Sequence, residues 1–398
     1  MKQTIFHIDV NSAFLSWSAL EKLKNGEERD LRTIPSIIGG DTAKRHGVVL
    51  AKSIPAKAYG IRTGEPVSDA LKKCPFLVSC PPDHKLYSEK SRLLMAHLSD
   101  ICPDIEQVSV DECYMDFTSV ASHYTDPVSA ARRIKDGIRE TFGFTVNVGI
   151  SDKKVLAKMA SDFRKPDLVH TLYQSEIREK LWPLPISALF MCGRSSVEAL
   201  HNLGILTIGD LAKADPQIIL SHLKSHGKTL WEFANGIDDS RVTPVPAEAK
   251  GVGNSTTLSR DALTMEEIQK CLLGLSESVA SRLRKAHVQA CMVSVEIKYS
   301  SFQTASHQAT LPDATSDSGC IYRTACRLAA ELWNGSPVRL LGIRTSKLED
   351  MDAPTQLSLF DLAQEKPLSE KQKSLNEALD KIRSKYGKDS IVRGTLLK

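Results

Sequence analysis

Asp111 and Glu112 stand side by side in the stretch Ser109-Val110-Asp111-Glu112-Cys113-Tyr114-Met115-Asp116. Val108, Val110, Cys113, Tyr114 and Phe117 around them are residue types that suit a half-buried strand over 108–117. Adjacent carboxylates repel, and burying either without a counter-charge is costly. A bound divalent cation is the usual compensation. The competing assignment is a solvated acidic pair in a hairpin turn, but the stretch contains no Gly, Pro or Asn to make one. A third carboxylate is available at Asp9, the end of a strand-like run over 3–10. A helix over 13–24 follows, with Phe14, Trp17, Leu20 and Leu23 at helical spacing. Asp9 therefore sits at the rim of a sheet, where backbone carbonyls are also free. Helix capping is the plainer role for it, although Asn11 or Ser12 is better placed to cap. Phe14 lies one turn from the acid, and by spacing alone it is a core residue.

The surrounding elements decide whether these acids can meet. Strand-like runs at 35–38 and 48–53 are joined through Gly39, Gly40 and Gly47, and Lys52, Lys57 and Arg62 then alternate with Gly60 and Gly64. Small residues with spaced cations suit a close approach to phosphate, and a solvated loop is the alternative. Helices are expected at 85–101, 126–141 and 152–164, with a strand at 145–149. The last of these helices carries Lys153, Lys154, Lys158 and Arg164 and runs into Lys165-Pro166. Residues 175–240 read as all-helical, with a glycine hairpin at Leu203-Gly204-Ile205 of the sort that sets backbone N–H groups against a phosphate, an ordinary helical corner being the alternative since it holds a single glycine. A Pro/Gly-containing linker over 241–253 leads to a β-α-β-β-α-β unit over 254–350, the ferredoxin-like element order. In the tail, 351–398, Gln356-Leu357-Ser358-Leu359-Phe360 is a short apolar plug that suits docking on a partner, followed by a helix at 368–386.

With 398 residues, two to four domains are expected. The nine cysteines are scattered without a C-x-x-C pair, which reads as reduced, mostly buried thiols in a cytoplasmic protein. No apolar run is long enough for a membrane span, and no signal peptide precedes the first strand. A net charge of +4 permits nucleic-acid binding only through a local basic surface. Three acids at strand ends with cations near glycines fit two-metal phosphoryl or nucleotidyl transfer, for which Mg²⁺ favours carboxylate, carbonyl and phosphate oxygens.

The order of five segments resembles the Y-family (DinB/UmuC-type) translesion DNA polymerases over nearly the whole chain. They are His7 to Phe14 (HIDVNSAF), Gly47 to Ala51 (GVVLA), Ala56 to Gly64 (AKAYGIRTG), Ser109 to Asp116, and Gly149 to Lys158 (GISDKKVLAK) running to Lys165-Pro166. The resemblance implies an α+β multidomain fold: a ferredoxin-like palm (1–30 and 68–170), fingers (31–67), a helix-hairpin-helix thumb (171–240), the linker, and a ferredoxin-like little finger (254–350). It implies a low-fidelity, template-directed DNA polymerase, a bacterial monomer acting on primer–template DNA and dNTPs with two Mg²⁺ ions, Mn²⁺ being a substitute. Asp9, Asp111 and Glu112 match the metal carboxylates, and Val10 would lend its carbonyl. Phe14 matches the steric gate that rejects a ribose 2′-OH. Lys57 and Lys165 match the cations on the triphosphate, Val48 and Leu50 fall where the fingers roof the templating base, and 356–360 resembles a bacterial sliding-clamp peptide.

The chain departs from that pattern in places. Ile54 stands where many members have Tyr, and Lys57 where many have Arg, so a hydroxyl and a bidentate fork are lost at the triphosphate. Met191-Cys192-Gly193 replaces a Gly-x-Gly in the thumb. Val48 and Leu50 are bulkier than Ala or Gly, which implies a tighter roof. Two alternatives stay open at this level. A nucleotidyl cyclase would use the carboxylates without DNA, and a non-catalytic DNA- or clamp-binding protein would not need them intact.

Overall fold

The computed structural model describes residues 3–40, 47–246, 248–352, 370–387, 390–391 and 393–394. The clamp-like peptide at 356–360 lies outside the described residues. The chain divides into two compact units, the first ending at Pro246 and the second beginning at Ala247.

The first unit opens with β1 (Ile5–Val10) and α1 (Ala13–Lys24), followed by β2 (Ser36–Gly39), β3 (Val49–Lys52), α2 (Ile54–Ala58), α3 (Val67–Lys73) and β4 (Val78–Cys80). Next come α4 (His84–Ile101), β5 (Ile105–Gln107), β6 (Glu112–Asp116), α5 (Pro127–Phe142), β7 (Val146–Ser151), α6 (Lys154–Asp162) and β8 (Val169–Thr171). Its main sheet has the order β5-β6-β1-β7-β8, so β1, the strand that ends near Asp9, is central. Phe6, Ile8, Trp17, Tyr87, Phe117 and Phe144 are all but inaccessible and form the heart of its core. Local sequence sets the edges of the covering helices. α5 starts where the Asp126 carboxylate accepts from Val128 and Ser129 N–H, with Pro127 in the first turn, and stops at Gly143, whose φ of 76° suits glycine. A second sheet, β3-β2-β4, packs around Ile37, Val49, Ile61 and Val67.

The expectation of one strand over 108–117 is corrected. β5 and β6 form an antiparallel hairpin whose turn is Val108–Asp111, closed by Val108 N–H and Ser109 N–H donating to Glu112 O at 3.1 and 3.2 Å. Val108 and Val110 are exposed, while Cys113 is fully buried. The acidic pair thus sits at the rim rather than within the sheet, the turn being closed without Gly, Pro or Asn. Ser151 likewise belongs to β7, and Lys153, with no side-chain capping bond, occupies the position before α6.

The rest of the first unit is helical: α7 (Arg194–Asn202), α8 (Ile208–Lys213) and α9 (Pro216–Ala234). Gly204 turns the chain between α7 and α8 at φ 76°, and α8 begins with a Thr207/Asp210 capping box. α9 is kinked at Lys224.

The second unit runs β9 (Gly251–Ala262), α10 (Met265–Lys285), β10 (Val288–Tyr299), β11 (Thr304–Thr315), α11 (Ser318–Leu332), β12 (Val338–Asp350) and α12 (Glu370–Tyr386). Its sheet is wholly antiparallel in the order β11-β10-β12-β9, and both α10 and α11 contribute buried side chains to its core. β9 begins at Gly251, inside the stretch expected to be linker. Arg284 pairs with Asp380, and Arg383 and Arg393 with Glu277, so that α12 is tied back to α10. All nine cysteines are free. Among the described residues no helix is long and apolar enough to cross a membrane.

One close approach holds α6 against the sheet. A Cβ on Gly149 of β7 would lie 2.0 Å from Ala157 O and 2.4 Å from Ser161 N. Gly149→Ala is therefore expected to destabilise the first unit by about 3 kcal/mol, because backbone rather than a side-chain tip must move. A urea titration of the variant should show a lowered midpoint; an unshifted midpoint would contradict this packing.

Candidate active site

Asp9 and Glu112 are facing partners in the β1–β6 ladder. Val10 N–H donates to Asp111 O at 2.9 Å, which brings the third acid to the same end of the sheet. The helix that Gly149 admits supplies the counter-charges. Lys158 Nζ lies 2.9 Å from Glu112 Oε2, 3.5 Å from Asp9 Oδ2 and 3.4 Å from Asp162 Oδ2. Lys165 Nζ lies 3.0 Å from Asp9 Oδ1 and 2.9 Å from Asp162 Oδ1. Asp111 is held instead by Ser109, whose Oγ donates to Asp111 Oδ1 at 2.6 Å. The acids converge without closing up. Among the described residues, the set of three whose ligand atoms all lie within 4.8 Å of one another is the exposed His287, Asp350 and Asp352 of the second unit.

The electrostatics follow from burial and these partners. Glu112 is held down from its ordinary 4.5 to about 2, first by His7 and then by Lys158, against a burial cost of opposite sign. His7 Nε2 is 3.4 Å from Glu112 Oε2 and lacks a well-formed hydrogen bond, whereas Nδ1 sits 2.8 Å from Ser161 Oγ. Burial pushes the His7 imidazole below its ordinary value, so the permanent charge facing Glu112 near neutral pH is the Lys158 ammonium. Burial alone would lower Lys158, but its bond to Glu112 and the fields of Asp162 and Asp9 outweigh that and raise it. Hard carboxylate oxygens beside a backbone carbonyl are a donor set that fits Mg²⁺, and the lysines mark how much positive charge the acids demand.

Asp9 and Asp111 border a cleft of about 570 Å³ that is also lined by Val10, Phe14, Leu50, Lys57 and Lys165. The volume is in the range of small-ligand pockets. Phe14 stacks on Tyr87 with centroids 4.3 Å apart and planes within 6°, and the Tyr87 hydroxyl lies 2.9 Å from Ser18 Oγ. Its ring is thus both core-packed on one side and presented to the cleft. Of the expected site residues of this unit, Glu112 and Val48 do not line the cleft; Val48 is exposed and bridges Pro66. Sequence reasoning missed His7, Lys158 and Asp162 as partners of the acids. The spacing Lys158-x-x-x-Asp162-x-x-Lys165, one helical face, was the available signal.

Known proteins resemble the chain over its whole length. The impB/mucB/samB family model matches residues 8–162, and the model of that family's C-terminal domain matches 249–359. A DNA polymerase IV of Clostridium acetobutylicum is 47% identical over 397 residues, covering 100% of this chain and 99% of its own. A DNA polymerase IV of Acetivibrio thermocellus is 37% identical over 400 residues, with 100% and 98% covered. A chimeric Y-family DNA polymerase of known structure matches at TM-score 0.75 over 87% of this chain and 99% of its own, and at 20% identity it speaks for the fold. The chain belongs to the impB/mucB/samB family, the Y-family translesion DNA polymerases. Its activity is that of a DNA-directed DNA polymerase.

The depressed Glu112 pKa has a definite sign in stability. Its contribution is complete above its ordinary 4.5 and is lost as pH falls through about 2. In metal-free protein, Glu112→Gln should therefore be less stable than the parent near neutral pH, and the gap should close as pH drops below 4.5. Urea midpoints across that range measure it, and a gap that widens towards acid would refute the assignment.

Proposed function

We propose that Asp9, Asp111 and Glu112, with the Val10 carbonyl, hold two Mg²⁺ ions for nucleotidyl transfer, Mn²⁺ being able to substitute. When bound, such ions favour the ionised primer 3′-hydroxyl and balance the charge on the nucleotide's phosphates. The observation that supports the reading is the convergence of Asp9, Asp111, an aromatic ring and three lysines on one cleft, with Glu112 facing Asp9 across the strand pair. Lys57 and Lys165 bind the triphosphate of the incoming dNTP. Lys165, now bonded to Asp9, would be freed to do so once cations neutralised the carboxylates. Phe14, braced by Tyr87, excludes a ribose 2′-OH, and Leu50, with Val48 nearer the rim, covers the templating base.

On this reading the palm comprises 1–30 and 68–170, the fingers 31–67, the thumb 171–240 and the little finger 254–350. The protein acts as a monomer on primer–template DNA. Its Gln356, Leu357, Leu359 and Phe360 engage the sliding clamp, because three apolar side chains within five residues of polar chain suit an apolar pocket on a partner.

Primer extension with Mg²⁺ and dNTPs tests the reading. Asp111→Ala should reduce extension by about 10³-fold or more, the scale of losing an electrostatic element of the reaction. Extension equal to wild type would sink the metal assignment. Phe14→Ala should raise ribonucleotide incorporation, and unchanged sugar selectivity would remove the gate. Deleting 356–360 should abolish stimulation by the clamp while leaving clamp-free synthesis intact; retained stimulation would place the contact elsewhere.

A further inference from the structure

The cations lining the cleft are not equivalent. Arg32 is committed to Asp30, with Nη2 at 2.8 Å from Oδ2. Lys165 is shared between Asp9 and Asp162. Lys57 and Lys52 have no carboxylate partner among the described residues. Lys52 makes one long contact, Nζ to Thr63 Oγ1 at 3.4 Å.

Lys52 reaches the cleft because of strand periodicity. In β3, Val49 and Ala51 face the core, while Leu50 and Lys52 are half-buried on the opposite face, and both line the cleft. Ser53 then caps α2, its Oγ accepting from Ala56 N–H and donating to Ile34 O, so the chain leaves β3 on a fixed path. Lys57 follows in the last turn of α2. The two ammonium groups are close enough to disfavour each other: burial and then the Lys57 charge lower the Lys52 pKa. Lys52 feels an opposing field only from Glu65 among the carboxylates that act on it in the described residues, so two lysines without a carboxylate partner there carry an electrostatic cost that a polyanion would relieve.

The neighbouring positions on α2 leave room for a further phosphate ligand. Ile54 is 62% exposed and offers no hydrogen-bonding group, and Lys57 cannot make the two parallel bonds of a guanidinium. We propose that Lys52 is a third cationic ligand of the incoming nucleotide's triphosphate, acting with Lys57 and Lys165. This rests on the reading of the cleft as the nucleotide site. Lys52 offers a charge-assisted donor in place of the missing hydroxyl and fork, from β3 rather than from α2.

The test is single-nucleotide insertion on undamaged primer–template by wild type, Lys52→Met, Lys52→Arg and Lys57→Met, with inorganic tripolyphosphate as a competitor. Lys52→Met should raise KM for the dNTP and the inhibition constant of tripolyphosphate about ten-fold each, as losing one charged hydrogen bond implies, while kcat changes less than about two-fold. Lys52→Arg should restore most of the loss, and the thermal midpoint and primer–template affinity should be unchanged. An unaltered KM in Lys52→Met beside a raised KM in Lys57→Met overturns the role of Lys52 and leaves the nucleotide site standing. A raised KM accompanied by a lowered thermal midpoint and no rescue by Arg also overturns it, since that marks a structural role. If both Met variants behave as wild type, the cleft itself is not the triphosphate site.

Discussion

Three carboxylates gathered at one end of a buried sheet cannot be left to repel one another, and the first unit is built around answering that repulsion. Asp9 and Glu112 face each other across β1 and β6, and Asp111 is drawn in by the backbone bond from Val10. α6 and the short segment after it, which ends three residues on at Lys165, bring Lys158 and Lys165 to them, and Asp162 positions both lysines. That helix can lie so close only because Gly149 has no side chain. The electrostatic site and the packing of β7 on α6 are therefore one problem: what seats the helix also sets the counter-charges.

The same arrangement explains how charge can be exchanged during a catalytic cycle. An acid held by a lysine is poised rather than satisfied, since a multivalent ion competes for the same oxygens and frees an ammonium for a phosphate. Lys165, bonded to Asp9 and lining the nucleotide-sized cleft, is placed for that exchange. Lys52 and Lys57 approach from β3 and α2, outside the acid cluster, so their charge is available before any exchange occurs. Phe14 ties the cleft to the core: its stacking on Tyr87 links the shape of that cleft wall to the packing of α1 on α4.

Much of this was legible in the chain because the relevant rules are local. Asp9 was placed by a strand that gives way to a helix, and the β-α-β-β-α-β order of the second unit by alternating hydrophobic periods and turn residues. The hairpin at Val108–Asp111 was not legible, since its closure depends on two bonds to Glu112 O and on the neighbouring strand, not on turn-forming residue types. Nor were the partners of the acids. His7 and Lys158 are 105 and 46 positions from Glu112 in the chain, and only the tertiary placement of β1 and α6 makes them neighbours. Lys52 was recognisable as a spaced cation, but its direction required knowing which face of β3 is buried.

The central claim is that Asp9, Asp111 and Glu112 form the metal site whose charge the lysines otherwise balance. It is tested most directly by Mn²⁺ titration of metal-stripped protein bound to primer–template DNA, following free Mn²⁺ by electron paramagnetic resonance. The measurement is made in an Asp352→Asn background, so that the exposed His287, Asp350 and Asp352 group does not contribute. Saturable binding that weakens by about ten-fold or more on adding Asp111→Asn is the predicted result. Binding that is unchanged by Asp111→Asn would contradict it.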